Sequence, residues 1–123
     1  MGVKVFGVFK AATDARDIPA GTVVFEAGST GEEMYGVVEG RIELRLPDGR
    51  SVEVGPDETF GEMALVDKSP RSATATALED SKLAVIDKSR FLFLVTETPT
   101  VALQVMTSLA ERLRAMQAGA GPA

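Results

Sequence analysis

The chain has 123 residues, no cysteine and no histidine, with 13 basic against 18 acidic side chains for a net charge of −5. Disulfides, thiolate metal sites, cysteine nucleophiles, imidazole ligands and the Ser-His-Asp triad are therefore excluded. An acidic whole domain also argues against holding DNA or RNA through its phosphate backbone, while the length suits one domain that buries roughly two-thirds of its unfolded surface.

The first ten residues carry one apolar cluster, Val5-Phe6 and Val8-Phe9, between Lys4 and Lys10. It is too short for a signal-peptide core or a membrane span, so a cytoplasmic address is the expectation. From Asp14 to Asp87 the chain reads as short β-type runs punctuated by glycine. Thr22–Phe25 follows a Pro19-Ala20-Gly21 turn, and Met34–Val38 ends at Glu39-Gly40. Between Arg41 and Leu46 the residues alternate, with Ile42, Leu44 and Leu46 on one face. Pro47-Asp48-Gly49 is placed to turn a hairpin whose second arm is Ser51–Val54. Further strands are expected over Ser72–Leu78 and Lys82–Ile86. Many short strands without intervening helices indicate a β-sandwich or roll and not a parallel α/β fold.

Helical signals follow. Asp87 or Ser89 is placed to cap a short helix through Phe91–Val95, and Thr98-Pro99 marks a second start. Ala102, Val105, Met106, Leu109, Leu113 and Met116 then recur at three- and four-residue steps. This stripe either covers the domain's own β-roll or forms a homodimer seam, and different turns of the helix can serve each. Glu111 and the arginines beside it read as an ordinary charged helix face. Phe60, Phe91 and Tyr35 read as packing residues, and Gly28, Gly36 and Gly40 as turn or bulge glycines. No helix-turn-helix pair follows. Ala118–Ala123 lacks apolar anchors and reads as a flexible tail.

The chemistry is concentrated in Thr59–Thr74. Gly61 allows close backbone approach, and Glu62, Met63, Ala64 and Leu65 are good helix formers whose first N–H groups suit an anion. Nine residues after Glu62, Arg71 offers a planar donor fork that matches phosphate oxygens, with Ser72 and the Ala73 N–H beside it. A carboxylate beside a phosphate cradle makes sense when the ligand also carries hydroxyls, as a ribose does.

Phe60-Gly61-Glu62-Met63-Ala64-Leu65 with Pro70-Arg71-Ser72-Ala73-Thr74 resembles the phosphate-binding cassette of the cyclic nucleotide-binding domain family, which includes the catabolite activator protein and protein kinase A regulatory subunits. Ile18–Phe25, Gly28 and Met34–Gly40 resemble its first strands, so the likeness runs from about Asp17 to Met116. The resemblance implies a mainly β fold: an eight-stranded antiparallel β-roll of jelly-roll type, flanked by helices at its N- and C-terminal ends, with a short helix in the cassette. The domain would span 1–117, with the roll over about 14–87 and the C-terminal helices over about 88–117.

It further implies a non-enzymatic regulatory sensor for a cyclic purine nucleotide, with no cofactor and no metal. Gly61 and the N–H groups of Glu62–Leu65 would face the cyclic phosphate, and Glu62 would accept from the ribose 2′-hydroxyl. Arg71 would neutralise the phosphate, with Ser72 and Ala73 completing the cage. Val52 and Val54 are the candidates for apolar contact to the purine, and the closing helix would bring its base contacts near Met116 or Gln117. Serine at position 72 leaves both cAMP and cGMP open. The expected output is movement of the C-terminal helix, read by a protein partner or an effector domain in trans. Two other readings compete: the same fold without nucleotide, acting as a protein–protein interaction module, and a cupin-type enzyme, which the absence of histidine disfavours.

Overall fold

The computed structural model describes residues 15–67 and 69–119. Ala118 and Gly119, expected in the flexible tail, continue the last helix, while the expected N-terminal flanking helix and residues 120–123 lie outside the described residues.

Eight strands are present among the described residues. They are β1 (Ala15–Ile18), β2 (Val23–Phe25), β3 (Glu33–Glu39), β4 (Ile42–Arg45), β5 (Ser51–Val54), β6 (Thr59–Phe60), β7 (Thr74–Ala77) and β8 (Ser81–Asp87). A four-residue helix, α1 (Met63–Val66), sits between β6 and β7, and α2 (Lys88–Glu97) and α3 (Thr100–Gly119) follow the last strand. The strands form two four-stranded sheets ordered β1-β8-β3-β6 and β2-β7-β4-β5, with every pairing antiparallel. The chain alternates between the sheets, as in a β-roll.

Alternation sets the core. Ile42, Leu44, Ala75 and Ala77 from one sheet face Val37, Phe60, Leu83 and Val85 from the other in a single buried cluster. Glu43 and Arg45 point the other way and pair with each other at 2.9 Å. Strand β8 is buried on both faces: Leu83 and Val85 look into the roll, while Ala84 and Ile86 meet Val101 and Val105 of α3. That is why its apolar run is nearly continuous. In the β4–β5 turn, the Arg50 N–H and guanidinium hold the Asp48 carboxyl below the usual carboxylate range.

Asp87 is the residue that starts α2. Its carboxylate accepts from the Arg90 N–H at 2.7 Å, satisfying one of the donors a helix start leaves open. Replacing it with alanine is expected to lower stability by about 1 kcal/mol. Urea denaturation checks this, and an unchanged midpoint would refute the capping role.

The face buried by α3 differs from the expected stripe. Val101, Gln104, Val105 and Ser108 are buried, whereas Met106 and Leu113 are more than half exposed. The helix is turned so that polar side chains reach the backbone of β6. The Ser108 hydroxyl donates to the Thr59 carbonyl at 3.0 Å and accepts from the Thr59 N–H at 3.3 Å. A two-residue strand leaves such groups open, and the helix supplies their partners.

Candidate functional site

The residues of Thr59–Thr74 wrap a cavity of about 230 Å³ between the end of β6, α1, the approach to β7 and the side of α3. Gly61, Glu62, Met63, Ala64, Arg71, Ser72 and Ala73 all line it. Phe60 does not: it is fully buried and stacks on Tyr35, with ring centres 5.2 Å apart. Leu65 packs into the layer between sheet and helices. Val52 and Val54 also lie elsewhere, Val54 in the core and both along a separate groove between β5 and α3. The apolar wall of the cavity comes instead from Phe25, Leu44, Leu109 and Leu113. The contribution of α3 therefore begins about one to two turns before Met116 and Gln117, whose side chains lie outside the described residues.

Gly61 needs to be glycine for two reasons. Its φ is +79°, and a Cβ there would stand 2.8 Å from the Arg71 Nη1. The tight turn that follows spends two of the expected anion donors internally. The Ala64 N–H donates to the Gly61 carbonyl at a long 3.3 Å, and the Leu65 N–H to the Glu62 carbonyl at 3.0 Å. The N–H groups of Glu62 and Met63 remain at the start of the turn. At its end the Ser69 hydroxyl, and then the Ser69 N–H that donates to the Asp67 carboxylate at 3.0 Å, keep that carboxyl below its ordinary range. Strand β7 begins at Thr74, so Ala73 precedes the ladder, and Ser72 is exposed at the cavity wall.

Arg71 is buried to 8% exposure. Its guanidinium donates to the Gly61 carbonyl at 3.0 Å and to the Glu33 carbonyl at 2.7 Å, and lies 4.2 Å from the centre of the Phe25 ring. Of five N–H donors, those two are spent, and the buried Nε–H has no acceptor. No carboxylate pairs with this cation among the described residues. A buried cation with an unsatisfied donor, facing a cavity, is poised for an anion. Beneath it, burial pushes the Tyr35 phenol above its ordinary pKa; Glu33 adds to the shift, and Arg71 and Arg16 oppose it.

Glu62 is 4% exposed and already engaged on both oxygens. One accepts from the Thr59 hydroxyl at 2.6 Å, and the other from the Arg112 guanidinium at 2.7 Å. Arg112 also donates to the Thr59 carbonyl at 2.7 Å, so α3 is fastened to the cassette by a buried ion pair. An ionised carboxylate accepts about four hydrogen bonds, so capacity for a ligand hydroxyl remains. Arg112 is not part of an ordinary charged face. The signal for it was the polar series Gln104, Ser108 and Arg112, which recurs at four-residue steps on one side of the helix.

A family model for the cyclic nucleotide-binding domain matches residues 15–98. The CRP-like cAMP-activated global transcriptional regulator of Mycobacterium tuberculosis is 31% identical over 103 residues, covering 80% of this chain and 46% of the relative. The crystal structure of Thermus thermophilus catabolite activator protein superposes with a TM-score of 0.70 at 32% identity, over 91% of this chain and 55% of that one. The cAMP-bound form of EAL enzyme Bd1971 superposes with a TM-score of 0.59 at 33% identity, over 87% of this chain and 30% of that one. The chain thus spans about half the length of the first two proteins and less of the third. The match to the family model covers all eight strands, the cassette and Arg71, and the chain belongs to the cyclic nucleotide-binding domain family.

Proposed function

We propose that this domain is a regulatory sensor that binds cAMP or cGMP in the cavity beneath α3 and signals by displacing that helix. One observation carries the reading: Arg71, buried and without a carboxylate partner among the described residues, lines a cavity of about 230 Å³ and keeps a buried Nε–H that has no acceptor. The cyclic phosphate sits against Arg71, Gly61, Ser72 and Ala73, and Glu62 accepts from the ribose 2′-hydroxyl. Phe25, Leu44, Met63, Leu109 and Leu113 give the purine an apolar bed. Those apolar side chains do not read the edge of the base. Ser72 supplies one of the few hydroxyls at the cavity wall, so both purines are accommodated.

The signalling step rests on the Glu62–Arg112 pair. A ribose hydroxyl that approaches Glu62 enters the same network that fastens α3. Binding therefore shifts the helix only as far as the ligand's affinity differs between the fastened and released forms. The output passes to a protein partner or to an effector domain in trans, in the cytoplasm. The domain catalyses no reaction of its own. No single helix among the described residues is long and apolar enough to cross a membrane.

Calorimetric titration with cAMP, cGMP and 5′-AMP tests the reading. Saturable binding of a cyclic nucleotide, with 5′-AMP at least tenfold weaker, is the expected outcome. No heat and no thermal shift at millimolar cyclic nucleotide would overturn it. A second reading is favoured by apolar side chains of the helices outside the cavity, where Leu92, Phe93, Leu103 and Met106 are each about half exposed. That surface suits an interaction module working without nucleotide, through a partner protein or a homodimer seam along α3. The same titration separates the two.

A further inference from the structure

Arg71 is held from outside the cassette as much as from within it. Its N–H donates to the Ser29 carbonyl at 2.8 Å and its carbonyl accepts from the Gly28 N–H at 2.7 Å, pinning its backbone to the turn between β2 and β3. The side chain lies across the same turn. Phe25, at the turn's start, offers its ring face 4.2 Å below the guanidinium, and Glu33, at its end, takes Nη2 at 2.7 Å on its carbonyl. Gly31 closes the socket between them. A Cβ built on Gly31 would stand 2.5 Å from Nη2 and 3.1 Å from the Arg71 Cζ. Real Cβ contacts are not that short, so any larger residue must move the guanidinium.

We propose that the β2–β3 turn, through Gly31, the Glu33 carbonyl and the Phe25 ring, positions the phosphate-binding cation, and that Gly31 is a positioning residue for the ligand anion. The inference rests on the phosphate role of Arg71 proposed above. The turn lies some forty residues before Arg71 in the chain, and Gly31 is absent from the cavity lining, so it acts only through the arginine. Its φ is not in the left-handed region, unlike those of Gly28 and Gly61, so alanine is compatible with the backbone. The atom in its way is the far end of a flexible side chain, held by hydrogen bonds to the Gly61 and Glu33 carbonyls. The substitution therefore redirects the arginine head and leaves the roll standing. Geometry gives the reason this matters: a bidentate donor fork recognises phosphate only in the correct plane, and an ångström of displacement removes the pairing.

Two readouts test it on the full chain. Gly31→Ala is expected to weaken cAMP at least tenfold by calorimetry, with a ligand-free melting temperature no lower than that of Arg71→Ala. It is also expected to shift the Arg71 Nε–H resonance in a side-chain ¹H–¹⁵N spectrum. Phe25→Leu keeps apolar bulk but removes the ring face, and it is read with inorganic phosphate, which makes no purine contact: a several-fold weaker affinity is expected, and it answers for Gly31→Ala should that variant not fold. Unchanged affinity in both variants overturns the proposal, as does weakened affinity with the Arg71 resonance unmoved. If the parent binds no cyclic nucleotide, the proposed ligand fails, and the resonance alone decides: a shift in Gly31→Ala upholds the socket, and an unmoved signal removes it.

Discussion

Arg71→Ala is expected to cost about 2–5 kcal/mol of cyclic-nucleotide binding, as truncating one side of a desolvated charge pair does. Among the described residues the cavity has no second cation placed like it. Arg112, the other arginine at the wall, is committed to Glu62 and Thr59. Part of the effect falls on the ligand-free domain, because the Gly61 and Glu33 carbonyls lose their donor and the Phe25 ring loses its cover. An unsatisfied buried acceptor costs about 1–3 kcal/mol. Arg71→Lys separates the two contributions, since it keeps the charge and loses the planar fork. Calorimetry with cAMP, set beside urea denaturation without ligand, measures both. Parent-like affinity in Arg71→Ala would take the phosphate away from this site.

Arg112→Ala is expected to destabilise the ligand-free domain by about 3–5 kcal/mol, because it strands the buried Glu62 carboxylate. The pair is 2.7 Å long with side chains 12% and 6% exposed, so it does not belong to the weak class of surface ion pairs. The same substitution removes a donor from the Thr59 carbonyl. Amide exchange along α3 should accelerate beyond that of α2, since this fastening acts on α3 alone. Adding Glu62→Gln to Arg112→Ala should recover part of the loss, because a neutral amide does not require the cation. A single-variant urea midpoint equal to the parent's would show that the apolar contacts of Val101 and Val105 hold the helix by themselves.

Much of this domain is legible in its sequence. The alternation of Ile42, Leu44 and Leu46, the Pro47–Gly49 turn and the double-sided apolar run of β8 each have a local physical cause, and each strand formed where that cause lies. The cassette reads for the same reason, since glycine, carboxylate and arginine are bound to a short stretch of chain. What the sequence concealed is contact between distant segments. Leu109 and Leu113 reach the cavity wall because α3 is fastened to the cassette through Ser108 and Arg112 as well as through its apolar side chains. Phe25 and Leu44 replaced Val52 and Val54 because β5 lies at the edge of its sheet, beyond β4 from the cavity. The seat of Arg71 on the β2–β3 turn depends on two strands meeting across some forty residues, which no local pattern records.

The β4–β5 hairpin has a use that follows from its position. Its turn is exposed, and its second strand forms one wall of a groove whose other wall is Ser108, Glu111, Arg112 and Ala115 of α3. The hairpin belongs to the sheet and is fixed in register by four residue pairs with β4. The opposite wall is the element proposed to move. A fluorophore at Asp48 and a quencher at Ala115 would turn that groove into a ruler, with one end mounted on the rigid frame and the other on the helix. Such a label touches neither Arg71 nor Glu62, so the helix can be followed in real time with the proposed phosphate and ribose contacts left in place.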